Sequence, residues 1–250
     1  MRPFTALIAF ALALALTFLT LPIAAIFVHT GPGALLSSLG DPAALDALRL
    51  SLETSAISLA IVIVVGTPAA YLLATRRFRG RALVTTLVEL PLVLPPAVAG
   101  IGLLAALGPK GLVDAGLVLQ TAGVVTAITF VSAPFFLRQA QAAFEAVDPV
   151  LLEASRTLGA SPARTFLRIA VPVARSGLVA GAALAWGRAL GEFGATLMFA
   201  GSFRGVTQTA PLAIYERFGT DFTSALALGA VLAAVSLAVL LSVKLVDAPR

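Results

Sequence analysis

The sequence predicts an all-α, polytopic membrane protein with six transmembrane helices, and two observations lead to this class. Hydrophobic residues make up 59% of the 250 residues and charged residues only 12%, about half the charged share of a soluble domain. The apolar residues are also gathered in long runs. A run at 176–203 is interrupted only by Arg188 and Glu192, and five further runs contain no Lys, Arg, Asp or Glu: 3–28, 54–75, 90–109, 115–137 and 222–243.

Each run is long enough for the roughly 20 residues that a helix needs to cross the hydrocarbon core. The first run exceeds the ~7–15 apolar residues of a secretory signal peptide, so it predicts an uncleaved helix. In the third run, Pro91, Pro95 and Pro96 predict a kink or a break in the helix. We therefore predict a single transmembrane domain over residues 1–250, with helices at about 4–28, 52–75, 83–107, 117–138, 176–200 and 223–244.

The basic residues predict the orientation of these helices. Four of the 17 lie in one set of connections: Arg49, Lys110, Arg204 and Arg217. Twelve lie at the termini or in the alternate connections: Arg2, Arg76, Arg77, Arg79, Arg81, Arg138, Arg156, Arg164, Arg168, Arg175, Lys244 and Arg250. Because Lys and Arg are enriched in cytoplasmic loops, both termini are predicted to be cytoplasmic. This topology also accounts for the net charge of +5, so the charge does not indicate nucleic-acid binding.

The longest connection on the predicted cytoplasmic side, at about 141–174, is polar and contains two helix starts. At 148–149 and again at 161–162, a capping residue (Asp or Ser) precedes a proline, which suits the first helical position. Gly159 is typical of the left-handed turn that ends a helix. We predict short helices at about 149–158 and 162–170, the second ending before Pro172.

These two short helices carry features that suit two different roles. On the first, Leu151, Ala154, Ser155 and Leu158 share a face whose small centre would let another protein approach closely. On the second, Arg164 and Arg168 are four residues apart, and their like charges repel each other. We therefore expect acidic groups or phospholipid headgroups near them. From these residues alone, an amphipathic loop on the membrane surface and a docking site for another protein are both open.

The spacing of this segment resembles the EAA loop of ATP-binding-cassette (ABC) importer permeases, E-A-A-x-x-x-G, nine residues, then I-x-L-P. The matching residues here are Glu153, Ala154, Ser155, Gly159, Ile169 and Pro172, with Ser155 in place of the second alanine and Val171 in place of leucine. The resemblance implies a type I ABC importer permease fold. It also implies that the two short helices are coupling helices, which dock into a cytoplasmic ATPase subunit.

Two other stretches, ELPLVLPPAVAG at 89–100 and GRALGEFGATLMFAG at 187–201, look most like molybdate/tungstate permease subunits. Sulfate/thiosulfate permeases are close relatives and stay open as an alternative. The resemblance implies a multi-pass protein of the prokaryotic cytoplasmic (inner) membrane. Its partners would be a second permease copy in a homodimer, two cytoplasmic ATP-binding subunits and an extracytoplasmic oxyanion-binding protein.

The chain itself carries no recognisable catalytic constellation. It has no cysteine and one histidine. Neither of its two lysines, Lys110 and Lys244, follows a glycine-rich phosphate-binding loop. We therefore expect a transport subunit without enzymatic activity, cofactor or metal of its own, with ATP and Mg bound by partner subunits. An ATP-independent secondary transporter or channel is the alternative from another class, and it would leave the EAA-like segment without a role.

Charges inside the apolar runs are the remaining candidates for function. Arg188 and Glu192 lie four residues apart, on one face of the fifth predicted helix. They could be a structural pair, or they could line the translocation pathway, with Arg188 attracting the anion and Glu192 helping to hold a gate shut. Glu89 could cap the third helix or lie at the mouth of the pathway.

Overall fold

The structure is a computed structural model that describes residues 3–247, and this range is helical with no β-strand. Arg2 and Arg250, which contributed to the predicted orientation, lie outside the described residues. The helices are α1 Pro3–His29, α2 Pro32–Gly40, α3 Pro42–Thr75, α4 Arg81–Val93, α5 Pro96–Leu107, α6 Thr121–Glu145, α7 Pro149–Thr157, α8 Pro162–Val173, α9 Arg175–Leu190, α10 Gly194–Ala200, α11 Ala210–Phe218 and α12 Phe222–Asp247.

Four helices, α1, α3, α6 and α12, are each long and apolar enough to cross a membrane alone. Two further helix pairs qualify only when taken together, and both are sharply bent: α4 with α5 by 117°, and α8 with α9 by 74°. The described residues therefore supply four spans, or six if each bent pair is one span. The predicted all-α membrane class is confirmed.

Two of the predicted helices are broken in the structure. The helix predicted at 83–107 is interrupted between Val93 and Pro96, because two consecutive prolines remove the N–H groups that would continue the helical hydrogen bonds. The helix predicted at 176–200 is interrupted at 191–193, between α9 and α10. The prolines of the third run predicted the first interruption, whereas the uniform hydropathy of the fifth predicted helix concealed the second.

Two other helices are longer than their apolar runs. Helix α3 begins at Pro42 rather than near residue 52, because the Asp41 carboxylate accepts the Ala43 N–H at 3.0 Å and caps it. Arg49, in this added part, forms an exposed ion pair with Glu53 at 2.6 Å. At the other end of the fold, α6 continues to Glu145 rather than ending near 138.

The centre of the fold is formed by α3, α6 and α9, which pack closely through small residues. A Cβ atom added at Gly177 of α9 would lie 2.3 Å from the Cβ of Ala143, and one added at Gly181 would lie 3.1 Å from that of Gln139. These glycines therefore let the backbone of α9 approach α6. Gly187 and Gly191, which repeat the same spacing, have no such close neighbour.

Buried serines on one face of α3 connect it to three other elements. Ser51 Oγ accepts the Ala210 N–H at the start of α11, at 2.7 Å. Ser55 Oγ accepts the indole N–H of Trp186 on α9 at 3.0 Å. Ser58 Oγ accepts the hydroxyl of Thr129 on α6, also at 3.0 Å. Each bond satisfies polar groups in an interior where water is scarce.

The two ends of the bundle differ in charge and structure. We call the end formed by the turn 76–80 with α7 and α8 the basic end, and the end that carries α2 and α11 the opposite end. At the opposite end, Asp41 pairs with Arg217. Burial raises the pKa of the Asp41 carboxyl, but the Ala43 N–H and the Arg217 guanidinium outweigh it, so the pKa lies below the ordinary value of 3.8.

We expect Asp41→Asn to lower stability by up to about 1 kcal/mol at neutral pH, because Asn keeps the helix cap but loses the ion pair. The lowered pKa means that this stability is present above the unfolded-state value, and is lost as the pH falls through the folded-state value. Thermal unfolding followed by circular dichroism should show the difference from pH 8 to 5 and its progressive loss as the pH falls below about 4. Arg217→Gln should lower the melting temperature equally, and a pH-independent difference would contradict the assignment.

Candidate functional site

The capped helices predicted in the polar segment are present at the basic end. The Asp148 carboxylate accepts the Val150 N–H at 2.9 Å and begins α7, and Ser161 Oγ accepts the Arg164 N–H at 3.3 Å and begins α8. Gly159, between them, has a φ of +82°. A side chain would strain this left-handed conformation, so glycine is needed there for its backbone freedom.

The second short helix was predicted to end before Pro172, and this prediction is wrong. The helix continues to Val173. It does so through a π-turn over Phe166–Ala170, in which the Val171 N–H bonds to the carbonyl of Phe166. A π-turn changes the hydrogen-bond register, and so accommodates the missing N–H of Pro172 without ending the helix. Pro172 is exposed, whereas Ile169 is partly buried against the central core.

Helix α7 is anchored to the bundle by a residue that sequence reasoning missed. Leu152 is buried in the same core cluster as Phe144 of α6. Around it, the rings of Tyr71, Phe144 and Phe166 form a cluster with centroid distances of 5.3, 4.9 and 6.3 Å. Leu151 and Leu152 are adjacent in sequence, so helical periodicity alone did not show which of them faces inward.

The outward face of α7 is apolar and exposed. Leu158 is 87% exposed, Val150 65% and Leu151 45%. Glu153 and Ala154 are also exposed, and the Glu153 carboxylate forms no ion pair with any described side chain. Exposed apolar side chains that lie together are typical of a surface that another protein or a membrane covers.

Ser155 behaves differently from the rest of that face. It is half-buried, and its hydroxyl lies 3.0 Å from the fully buried hydroxyl of Thr165 on α8. The serine that departs from the EAA consensus therefore bonds the two short helices to each other. An alanine at this position could not form this hydrogen bond.

A polar hollow of about 240 Å³ lies between α7 and the adjoining ends of α3 and α6. Glu145, Glu153 and Arg156 line it together with small and apolar residues. Arg81 stabilises the wall of this hollow. The Arg81 guanidinium donates to Glu145 Oε1 at 2.7 Å and to the carbonyl of Leu73 at 2.8 Å. The ends of α3, α4 and α6 are thus held together next to α7.

Arg188 and Glu192 are brought together at the break between α9 and α10. Glu192 is only 1% exposed, and its Oε1 accepts the Ala195 N–H at 2.7 Å, which caps α10. Its Oε2 lies 2.5 Å from Arg188 Nη2, but without the alignment of a hydrogen bond. The Arg188 side chain is 25% exposed. Glu192 therefore caps α10, while part of the Arg188 side chain remains accessible.

Glu89 does not cap a helix. It lies inside α4, whose N-cap position is Gly80, and pairs with Arg138 of α6 at 2.5 Å. Within the described part of the chain, no hydrogen bond or ion pair joins Glu89 to Arg188 or Glu192. The predicted pathway residues thus fall into two separate groups.

The fold is that of a helical membrane protein with one exposed, anchored helix at its basic end. The chain belongs to the family of binding-protein-dependent transport system inner membrane components, whose family model matches residues 63–248.

Relatives extend the match over most of the chain. The molybdenum transport system permease protein ModB of Mycobacterium tuberculosis is 39% identical over 235 residues, which cover 91% of this chain and 89% of that protein. The molybdate/tungstate permease WtpB of Pyrococcus abyssi is 37% identical over 74% of this chain and 73% of its own length. The sulfate permease CysW of Synechocystis is 36% identical over 96% and 89%, respectively.

Solved structures share the fold at low sequence identity. A bacterial ABC transporter that imports the acidic polysaccharide alginate superposes with a TM-score of 0.76 at 19% identity, covering 98% of this chain and 94% of that one. The same kind of transporter, in complex with an alginate-bound periplasmic protein, gives 0.75 at 19% identity, over 96% and 92%. The fold is therefore that of type I ABC importer permeases, as the resemblance implied.

We expect Ser155→Ala to loosen α7 from α8, because it leaves the buried Thr165 hydroxyl without a partner, at a cost of about 1–3 kcal/mol. Hydrogen exchange over residues 149–165 should be correspondingly faster. The double variant Ser155→Ala with Thr165→Val removes both hydroxyls, and should recover most of the protection. Unchanged exchange in Ser155→Ala would show that the hydroxyl pair does not hold the two helices together.

Proposed function

We propose that the chain is the permease subunit of an ATP-driven importer for an oxyanion, molybdate or tungstate. One observation carries the coupling part of this proposal: α7 is anchored in the core by Leu152, yet presents Leu151, Ala154 and Leu158 outward. A surface of this kind suits a partner protein whose conformational change is transmitted to the bundle. Together with the family match, it supports the docking interpretation over that of a loop lying on the membrane surface.

The proposed assembly contains two copies of this chain, two cytoplasmic ATP-binding subunits and an oxyanion-binding protein. The family's dependence on a binding protein supports the last partner, as does the periplasmic protein bound to the alginate transporter. ATP and Mg would be held by the ATPase subunits, since this sequence lacks a phosphate-binding loop. The basic end and both termini would then face the cytoplasm.

The contacts at the basic end supply a route for mechanical coupling. Force applied to α7 reaches α6 through Leu152 and Phe144, and α8 through the Ser155–Thr165 pair. Arg81 ties the end of α3 to that of α6, so these helices would move together. A ligand-driven change needs different favourable contacts in each state, and closure of the ATPase subunits would supply them on one side.

The substrate assignment depends on the relatives. Molybdate, tungstate and sulfate are all tetrahedral dianions, and the permeases named for them share 36–39% identity with this chain. The molybdenum-named relative has the highest identity of these three, which supports molybdate or tungstate over sulfate. A direct competition experiment separates them.

Inside the membrane, we assign Arg188 to the translocation pathway, where its accessible edge would attract the anion. Glu192 would neutralise Arg188 when no anion is present, and would hold the start of α10. A buried charge needs such a partner, because an unpaired one in the bilayer costs about 2.5–3.5 kcal/mol on insertion scales. Glu89, paired with Arg138, would contribute at the cytoplasmic side of the pathway.

The test is uptake of labelled molybdate into proteoliposomes that contain this chain with its ATPase subunit and binding protein. We expect ATP-dependent uptake that excess tungstate blocks and sulfate does not. Glu153→Ala should lower uptake and ATPase binding by about tenfold, the size of one lost charge-assisted hydrogen bond. Glu53→Ala, which removes a half-exposed carboxylate at the opposite end, is the matched control.

Two failures of this experiment have different meanings. Uptake blocked equally by sulfate would contradict the substrate assignment but leave the coupling proposal intact. Normal ATPase binding and uptake in Glu153→Ala would contradict the coupling role of that residue, whatever the substrate.

The role of Arg188 can be separated from a structural one by neutralising the pair. Arg188→Met alone leaves a buried carboxylate without its partner, and should cost about 3–5 kcal/mol of stability. Adding Glu192→Gln removes the stranded charge and keeps an oxygen to cap α10, so the double variant should fold. If Arg188 meets the anion, this folded double variant will show little uptake; wild-type uptake would mean that the pair is structural only.

A further inference from the structure

An apolar groove of about 450 Å³ runs along the outside of the bundle, between α3, α8 and α9. Its walls include Ile63 and Pro68 of α3, Leu167 of α8, and Leu178 and Ala182 of α9. Thr67 also lines it, but its hydroxyl already donates to the carbonyl of Ile63 at 2.6 Å. The groove therefore suits an apolar occupant.

The groove has the depth of one membrane leaflet. Helix α9 begins at Arg175 and α3 ends at Thr75, both at the basic end. At 1.5 Å per residue, Ala182 lies about 10 Å and Ile63 about 18 Å from those helix ends. Half of a hydrocarbon core is about 15 Å thick. The groove thus starts near the membrane surface and reaches towards the bilayer centre.

Two arginines on α8 flank Leu167, a residue that lines this groove. Arg164 and Arg168 belong to the same helix as Leu167, and Arg164 lies three residues before that groove residue. Both are exposed. No ion pair to either is found among the side chains that the structure describes. Like charges four residues apart on one helix repel each other, so an anion bound near both would reduce this repulsion.

We infer that this groove binds an acyl chain of an anionic phospholipid, whose headgroup phosphate is held by Arg164 and Arg168. An acidic group of a partner protein would satisfy the two charges but leave the groove unfilled. A phospholipid satisfies both, since its phosphate lies at the depth of the arginines and its chain lies in the hydrocarbon. The site joins α8 to α3 and α9, so the bound lipid would stabilise the 74° bend between α8 and α9.

The test is native mass spectrometry of the full chain, titrated with phosphatidylglycerol or with phosphatidylcholine of the same acyl chains. We expect phosphatidylglycerol to bind tighter, with the double variant Arg164→Gln, Arg168→Gln weakening it about 25-fold, roughly fivefold per arginine. The double variant Arg76→Gln, Arg77→Gln is the matched control, because it removes two other exposed arginines at the basic end. This control should change the affinity for phosphatidylglycerol by less than about twofold, since Arg76 and Arg77 do not line the groove.

The groove itself is tested by filling it. Ala182→Phe should weaken both lipids, and Val179→Phe, on the same wall, repeats the test if the first variant does not fold. Equal binding of the two lipids, or unchanged binding in the arginine or the groove variants, would overturn the proposal. If inorganic phosphate fully displaced the lipid, only the headgroup would be bound. If a second copy of the chain displaced it, the groove would be a subunit contact. Either result would also overturn the proposal.

Discussion

The face of α3 that carries Ser51, Ser55 and Ser58 is the constraint on which the rest of the bundle depends. Between lipid-facing surfaces there is little hydrophobic force to hold helices together, so close packing and interhelical hydrogen bonds do this work. Each serine bonds to a different element, and these bonds set α6, α9 and α11 around α3. Close contacts such as that of Gly177 with Ala143 then become possible.

Broken helices are tolerated in this interior because their free ends find partners within the protein. The start of α10 receives the Glu192 carboxylate, and the start of α11 receives Ser51. The same buried carboxylate is paired with Arg188, the charge that remains accessible. A structural requirement and a charge suited to an anion pathway therefore meet at one break in the fold.

At the basic end, rigidity and exposure are combined in a single short helix. Leu152 and the rings of Tyr71, Phe144 and Phe166 fix α7 to the central core. The opposite side of α7 stays apolar and open, as a partner surface requires. On the neighbouring α8, the exposed Arg164 and Arg168 flank Leu167, which lines the apolar groove. Under our two proposals, one end of the bundle offers separate surfaces to protein and to lipid.

The sequence by itself determined the membrane class, the capped starts at Asp148 and Ser161, and the turn at Gly159. These depend on composition and on interactions between residues a few positions apart, which a local pattern records. Tertiary structure alone decided that Leu152 rather than Leu151 faces the core, and that Glu89 pairs with Arg138. It also decided that Ser155 bonds to Thr165 and that the fifth predicted helix breaks at 191–193. Each of these depends on which distant segment lies opposite, and hydropathy and helical spacing carry no information about that.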